Sequence, residues 1–341
     1  MNESNTKEIK ISVLVIAYER KEFIKEALLS VLDQTIPRNQ YEIICVVGFK
    51  DEEISKFMIE NNIAEIYCHC RIGTNLSIGL NSCKGNYVVF LEDDDKFARN
   101  KLELVLKAFE KNNIIYYHNN HETIDKYSKI LNQNKVKKKL FVSQFSRSTL
   151  WYPPHKYHWI AKNGGDFNLS SMAVSRAYIN KYNSVLAKIQ SAADFIVFSV
   201  LMQDNFPFYF DINRTTLYRM HENSETHSIE RNHEKLIDHS NREYRSALIV
   251  YENLNSEPVK RMVVEWLLSL KFYAYVAGIK DLKPSFIDKL KLLYYGITAP
   301  NTSYLISILV VVIYSMFPTY IDKIAVKRAS KIYKVSFKNS K

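Results

Sequence analysis

Over residues 10–120 the apolar positions switch repeatedly between two periods. "KISVLVIAY" (10–18) is a continuous run rich in β-branched residues, the pattern of a strand buried on both faces. "ERKEFIKEALLSVLDQT" follows, with Phe23, Ile24, Ala27, Leu28, Val31 and Leu32 at helical spacing. "YEIICVV" (41–47) predicts a second strand and "DEEISKFMIENN" a second helix. "AEIYCH" (64–69) predicts a short third strand, and "TNLSIGLNSCKG" a helix closed by Gly85. "NYVVFL" (86–91), "NKLELVLKAFEKNN" (100–113) and "IIYYHNN" (114–120) continue as strand, helix and strand. Strands alternating with helices predict an α/β domain with a mostly parallel sheet flanked by helices.

Residues 120–168 break the rhythm: polar, basic and aromatic, with "WYPPHKYHW" inside. A loop of that length is a candidate for function. Its Trp151, Tyr152, Tyr157 and Trp159 are equally readable as an acceptor platform or as a small satellite core, and "NGGDFNLSS" (163–171) with Asp166 follows as a turn whose neighbourhood is a candidate lining of the acceptor site. Order resumes at "LSSMAVSRAYINKY" and "SAADFIVFSVLMQ", then at strand-like "FPFYFD" and "TTLYRM". Beyond about residue 228 the pattern is helical. The expected division is therefore a catalytic α/β unit over 1–228 and a helical C-terminal region over 229–341. Within the latter, "SYLISILVVVIYSMF" (303–317) is nearly all apolar, shorter than the roughly 20 residues of a comfortable membrane span. Basic residues face Ile321, Ile324, Ala325, Ile332 and Val335 across the helix behind it, the layout of a segment lying on a membrane surface. The alternative is a buried helix followed by a solvated one.

Composition narrows the class. The 341 residues are 47% hydrophobic and 24% charged, so a packed core forms and wholesale disorder does not. The formal net charge of +11 is concentrated in "NKVKKKL" (134–140) and in the tail from Lys323 to Lys341. Such clusters meet anionic surfaces or are solvated faces. "YCHCR" (67–71) lacks the second ligand pair of a zinc site, so all four cysteines are expected to be reduced thiols. "MNESNTKEIKIS" has no signal-peptide layout, which places the expected chemistry in the cytoplasm, at the inner face of the membrane.

Against that positive background, "FLEDDDKF" (90–97) sets Glu92, Asp93, Asp94 and Asp95 side by side directly behind a strand. Ligands of open parallel sheets bind outside the carboxyl ends of the strands. Hard cations such as Mg²⁺ and Mn²⁺ take carboxylate oxygens and share them with substrate phosphates. The competing reading is an acidic turn that caps the next helix, but capping requires one carboxylate, not four.

"ISVLVIAYERKEFIKEALLSVLDQT" and "GTNLSIGLNSCKGNYVVFLEDDD" together resemble the nucleotide-sugar-binding half of the family 2 glycosyltransferases, over roughly residues 10–120. The resemblance implies the GT-A fold, an inverting transfer from a nucleotide-diphosphate sugar (UDP- or GDP-linked), and Mn²⁺ or Mg²⁺ as cofactor. It assigns Ala17, Tyr18, Glu19 and Arg20 to the loop that cradles the nucleotide. It sets Arg71, Gly73 and Asn75 near the diphosphate-sugar. Glu92 and Asp94 occupy the ends of the family's Asp-x-Asp motif, so Glu92, Asp94 and Asp95 become the metal ligands, with Asp93 beside the donor. "SAADFIVFSVL" resembles the helix with the catalytic base, which nominates Asp194. "LYRMHENS" resembles a segment closing over the diphosphate, which nominates Arg219 and His221. On the residues alone, Asp194 is otherwise a helix-surface carboxylate and His221 a structural histidine.

The chain departs from the family pattern in several places. Its second strand ends "VVGFKDEE" where the family has Asp-Asp-Gly-Ser, so Asp51 is displaced from the usual base-reading position. Ala17 replaces Pro, Glu19 replaces Asn, and Ala193 stands where Glu is common. No Gln-x-x-Arg-Trp signature marks a processive synthase. The expected acceptor is a lipid-linked glycan or surface glycoconjugate at a membrane surface, with no nucleic acid involved. A metal-dependent nucleotidyltransferase is the enzymatic alternative, though "AYERKEF" lacks the glycines of a phosphate loop. A non-enzymatic nucleic-acid- or membrane-binding protein is the other, and it leaves the acidic run unexplained.

Overall fold

The structure, a computed structural model, describes residues 9–131, 148–151, 160, 163–222, 224, 233–276 and 279–298. Strand β1 (Ile11–Ala17) is buried along its whole length and lies between β2 (Tyr41–Val47) and β4 (Tyr87–Glu92). Both pairings are parallel, with Ile11 opposite Tyr41 on one side and Tyr87 on the other. β3 (Ala64–Tyr67) adds to β2 in the same sense. Successive β1 side chains enter opposite cores: Leu14 and Ile16 on one face of the sheet, Val13 and Val15 on the other. A strand covered on both faces has no polar side, which is why its sequence shows a run instead of an alternation. Helices α1 (Ile24–Leu32), α2 (Glu52–Glu60), α3 (Ile72–Ser82) and α4 (Lys101–Asn112) connect and flank this half.

Beyond β4 the sheet is mixed, not mostly parallel as the sequence pattern predicts. The nine strands run β3-β2-β1-β4-β8-β6-β9-β5, with β7 (Thr149–Trp151) also on β9. β8 (Met172–Ser175) is inserted antiparallel between β4 and β6 (Tyr116–Ile124). β9 (Phe208–Arg219) is one strand where the sequence pattern shows two pieces; it runs parallel to β6, and β5 (Lys96–Phe97) and β7 pair with it antiparallel. Its two pieces are separated by the exposed Ile212–Arg214 stretch, where the register against β6 shifts at Asn119, Asn120 and His121. Side-chain amides hold this irregularity: Asn120 Nδ2 donates to Ile212 O at 2.9 Å and Asn119 Nδ2 to Thr216 Oγ1 at 2.9 Å.

After α5 (Ala193–Leu201) and β9, the chain forms the helical hairpin α6 (His233–Asn253) and α7 (Glu257–Val276), then α8 (Phe286–Thr298). Val250, Leu254, Val259, Met262 and Val263 belong to the same core as Leu14, Ile16 and Phe198 of the α/β unit. The Ser246 hydroxyl accepts from Gln190 N and Ser191 N, and Trp266 packs 4.5 Å from the Phe195 ring. The hairpin thus braces the segment that starts α5. The segment 303–317, the basic tail, the 134–140 cluster and residues 152–159 lie outside the described residues. Among the described residues no helix is long and apolar enough to cross a membrane.

One expectation about cysteine is corrected. Cys45 and Cys83 are free and buried, but Cys68 and Cys70 form a disulfide. With only His69 between them, their Cα atoms approach to 5.2 Å, inside bridging range.

His118 of β6 is fully buried, with Nε2 2.8 Å from Phe167 O. The carbonyl only accepts, so Nε2 carries the proton. Burial lowers the pKa of this ring to about 4, the Phe167 contact partly opposing it. The unfolded chain takes up a proton below about pH 6.5 and the folded one does not until about 4. The resulting stability is complete above the unfolded value and is lost as pH falls toward the folded one. Denaturant titrations at pH 7 and pH 5 should show His118→Asn losing about 2 kcal/mol less than wild type over that interval.

Candidate active site

The carboxyl ends of β1, β2 and β4 open on one edge of the sheet, and the loops leaving them carry most of the nominated residues. Ala17 closes β1 as a fully buried residue, its carbonyl accepting from Gly48 N at 2.8 Å. Gly48 is needed there: a Cβ at this position would stand 2.1 Å from Tyr18 O. The Tyr18 side chain is 45% exposed and stacks on His69, with ring centroids 5.5 Å apart and planes inclined by 10°. His69 Nδ1 lies 2.9 Å from Gly48 O, so Nδ1 is the donor and Nε2 is left with its lone pair. Nε2 is 4.0 Å from Glu19 Oε1, too far for a hydrogen bond. Asp51 is committed elsewhere. Its Oδ1 caps α2 by accepting from Ile54 N at 3.2 Å, and its Oδ2 pairs with Lys21 at 3.1 Å.

The four carboxylates behind β4 do not stand alone. Arg20 spans two of them, 2.5 Å from Asp93 Oδ1 and 2.8 Å from Asp94 Oδ2. His221 Nε2 lies 3.1 Å from the same Asp94 oxygen, its ring set edge-on to Phe23. Asp95 Oδ1 accepts from Arg219 N at 2.9 Å and Asp95 Oδ2 from Asn168 Nδ2 at 3.2 Å. The acids respond differently. Burial, reinforced by Asp94, pushes Asp93 and Asp95 up to about 7. Removal from water, with the charges of Asp95, Asp94 and Asp194, raises Glu92 well above the usual carboxylate range. Only Asp94 falls below its ordinary value: burial acts against it, but the His221 hydrogen bond and the Arg20 charge outweigh burial. Asp94 is the anionic focus of the group.

Asp194 opens α5 and is drawn into this edge by Asn168. Asn168 N donates to Asp194 Oδ2 at 3.2 Å while Asn168 Nδ2 reaches Asp95, and Phe195 N donates to Asp194 Oδ1 at 2.9 Å. Asn168 and Ala192 both have left-handed φ, 66° and 56°, so the backbone on each side of this contact is held in an uncommon conformation. Beneath the acids, Ser170 Oγ accepts from Glu92 N at 3.0 Å. The fully buried Lys101 donates to Ser170 O and to Thr216 Oγ1, and burial holds its pKa well below that of a free lysine. Asn168, Ser170, Lys101 and His69 were not nominated from the sequence. Asn168 and Ser170 do fall within "NGGDFNLSS", a candidate lining of the acceptor site, and His69 falls within "YCHCR", where the missing second ligand pair argues against zinc.

Three other nominated residues are placed differently from the resemblance. The Arg219 side chain is 0% exposed, and its guanidinium is consumed internally. It donates to Asp94 O, Asp125 O, Lys126 O and Glu26 Oε2 and lies 4.4 Å from the Phe23 ring centroid. It clamps the acidic turn from behind and does not face the open edge. Gly73 is buried within α3, where a Cβ would meet Leu186 O at 2.2 Å and Ile189 O at 2.4 Å. Asn75 is fully buried and donates to Cys70 O at 3.1 Å. Of this group Arg71, the residue preceding α3, is exposed.

Carboxylates alone make the donor set suited to a hard divalent cation. Asp93 Oδ2 is buried with no hydrogen-bond partner among the described residues, a sign of negative charge not fully met. Among the described residues, however, no three His, Cys, Asp or Glu side chains converge as ligands, and Arg20 and His221 both sit on Asp94. The donor types fit an ion; the arrangement holds a guanidinium in its place.

A half-parallel sheet with an acidic turn at the carboxyl end of its fourth strand and a carboxylate-bearing helix beside that turn sets charged side chains where open α/β sheets bind ligands. The profile described as Glycosyl transferase family 2 matches residues 12–182, half of the sequence, and the chain belongs to that family. The structure of Staphylococcus aureus TarS 1–349 in complex with UDP superposes with TM-score 0.56 at 13% identity, covering 96% of this chain and 92% of that one. The mannosyltransferase PcManGT from Pyrobaculum calidifontis, in complex with GDP-Man and Mn²⁺, gives TM-score 0.52 at 12% identity, covering 92% and 89%. Among curated proteins, the Escherichia coli UDP-Glc:alpha-D-GlcNAc-diphosphoundecaprenol beta-1,3-glucosyltransferase WfgD is 27% identical over 129 residues, 35% of this chain and 48% of WfgD. The chain spans about a fifth of the length of the Rickettsia glycosyltransferases that it matches at 29–32% identity.

If Gly73 serves packing, Gly73→Ala must push α3 off the 186–189 backbone. Urea denaturation should then show a loss of about 1–3 kcal/mol. An unchanged midpoint together with weakened nucleotide binding would return Gly73 to the ligand.

Proposed function

We propose that this glycosyltransferase moves a sugar with inversion from a nucleotide-diphosphate donor to a hydroxyl of a lipid-linked glycan at the cytoplasmic face of a membrane. The observation that carries the reading is the tie from Asp194 through Asn168 to Asp95, which brings a carboxylate on α5 to the acidic edge of the sheet. Two backbone N–H groups orient Asp194, so it is fixed before substrate arrives. As general base it takes the proton of the acceptor hydroxyl while that oxygen attacks the anomeric carbon. Attack opposite the departing diphosphate inverts the centre. Arg20 and the exposed Arg71 supply positive charge for the departing phosphates. Glu92, Asp94 and Asp95 would hold Mn²⁺ or Mg²⁺, which when bound offsets the charge developing on the diphosphate. The nucleobase rests on Tyr18. His69 Nε2, as an acceptor in a ring plane nearly parallel to Tyr18, reads a ring N–H in the role that the capped Asp51 has given up.

Related names support the substrate class. TarS was solved with UDP and WfgD acts on a diphosphoundecaprenol-linked sugar. PcManGT was solved with GDP-Man and Mn²⁺. We place residues 1–228 with the catalytic unit and residues 229–341 with membrane association, through 303–317 and the basic tail.

Calorimetry with UDP and GDP, with and without Mn²⁺, tests the donor site. Binding should require the ion and disappear in Asp94→Asn; binding that ignores both removes the acidic turn from the mechanism. Asp194→Asn should bind the nucleotide as wild type does and lose about 10²–10⁴-fold in kcat. Full turnover in that variant excludes it as the base. For His69, wild type should bind UDP at least about tenfold more tightly than N3-methyl-UDP, and His69→Phe should bind both alike. Equal affinities in wild type remove His69 from base recognition.

A further inference from the structure

Helix α8 presents four large apolar side chains to the outside. Phe286 is 73% exposed, Ile287 62%, Leu290 50% and Tyr294 58%. At about 100° per residue these positions form one stripe roughly 100° wide. Elsewhere on the described surface exposed large hydrophobic side chains occur singly or, at Tyr127 and Ile130, as a pair, whereas these four fall within nine consecutive residues. Leu292 on the opposite side is buried at 1% exposure. The helix is therefore seated on the protein by one face, with Phe286, Ile287 and Leu290 exposed on the other.

The charges around the stripe are arranged with it. Lys289 and Lys291 lie on its two borders by helical rotation, and Lys280 and Lys283 sit in the exposed turn that leads into the helix. Arg261 of α7 brings a further cation 5.8 Å from the Tyr294 ring centroid. The acid of the helix points inward: Asp288 accepts from Lys271 Nζ at 2.8 Å and from Ser285 N at 2.8 Å. Asp281, in the preceding turn, is the one exposed acid set against these lysines over residues 280–294. An apolar stripe bordered by lysines is the pattern of a helix lying in a lipid interface, with its apolar side chains at the acyl boundary and its cations among anionic headgroups.

We propose that α8 docks on an anionic lipid surface through Phe286, Ile287, Leu290 and Tyr294, with Lys283, Lys289 and Lys291 meeting the headgroup phosphates. The proposal rests on α8 itself and is independent of the donor chemistry and of residues 303–317. Charge favours lipid over the other occupants of the stripe. A second copy would bring another formal charge of +11 against the same lysines. The chain after Thr298 contains seven Lys and Arg residues (323, 327, 328, 331, 334, 338 and 341) and a single acid, Asp322, so its basic tail has nothing to offer them either.

The test uses the full-length chain carrying Leu290→Cys, labelled with an environment-sensitive fluorophore. Cys45 and Cys83 are buried and Cys68 is bonded to Cys70, which directs the label to position 290. Vesicles of phosphatidylcholine with about one-third phosphatidylglycerol should shift the emission to the blue. Pure phosphatidylcholine should give a much smaller shift, and Lys289→Glu with Lys291→Glu should abolish it. Three results overturn the proposal. One is no shift with anionic vesicles. Another is emission already blue before lipid and unchanged by it, which assigns the stripe to another part of the chain. The last is a shift that follows protein concentration without lipid, which assigns it to a second copy.

Discussion

Like charges at a strand end repel, and the architecture around β4 is organised by what offsets that repulsion. Glu92 to Asp95 occupy one turn, and the chain answers from distant elements: the Arg20 guanidinium from the loop after β1, and the Arg219 backbone N–H and the His221 ring from the end of β9. Each contact also fixes a piece of geometry. Arg20 ties the first strand's loop to the fourth strand's turn. Arg219 ties that turn to Glu26 of α1 and to the chain after β6. A buried guanidinium with its hydrogen bonds satisfied is a specifying device more than a source of stability. Asp94, where Arg20 and His221 meet, is the one acid of the four held below its ordinary pKa.

The Asp194 side of the edge is built differently. Asp194 is placed by backbone N–H groups and by an asparagine in left-handed conformation, not by countercharge. The helices that follow then hold α5 from outside, through Ser246 and Trp266. The Arg20–Asp94 side of the site is held by charge and the Asp194 side by backbone conformation.

The first four strands and their helices were legible because both faces of the sheet are covered, so apolar runs mark the strands and helical spacing marks the covers. The mixed half was not. β8 contributes only Met172–Ser175, too short for a period, and its antiparallel entry depends on pairings with residues far away in the chain. The acidic turn and Asp194 were legible as chemistry, because four adjacent carboxylates and a charge in an apolar helix are conspicuous. Asn168 was not, since its role lies in a φ of 66° and in contacts with residues 26 and 73 positions away. The motif around Arg219 suggests the open side; which way an arginine points depends on acceptors such as Asp125 O and Lys126 O that no motif encodes. The capping role of Asp51 was readable in "DEEISKF", a helix start with acids in its first turn.

The shared core of the hairpin α6–α7 and the α/β unit bears on what counts as the folding unit. The segment that the family profile matches ends at residue 182, before α5, before β9 and before Val250, Leu254, Val259, Met262 and Val263 enter the core beside Leu14 and Phe198. A fragment cut at that boundary would keep the first-strand and acidic-run motifs but lose Asp194, the strand that carries Arg219 and the far wall of its own interior. Recognisability and foldability have different borders in this chain: the first follows the motifs, and the second follows the last side chain needed to seal the interior from water.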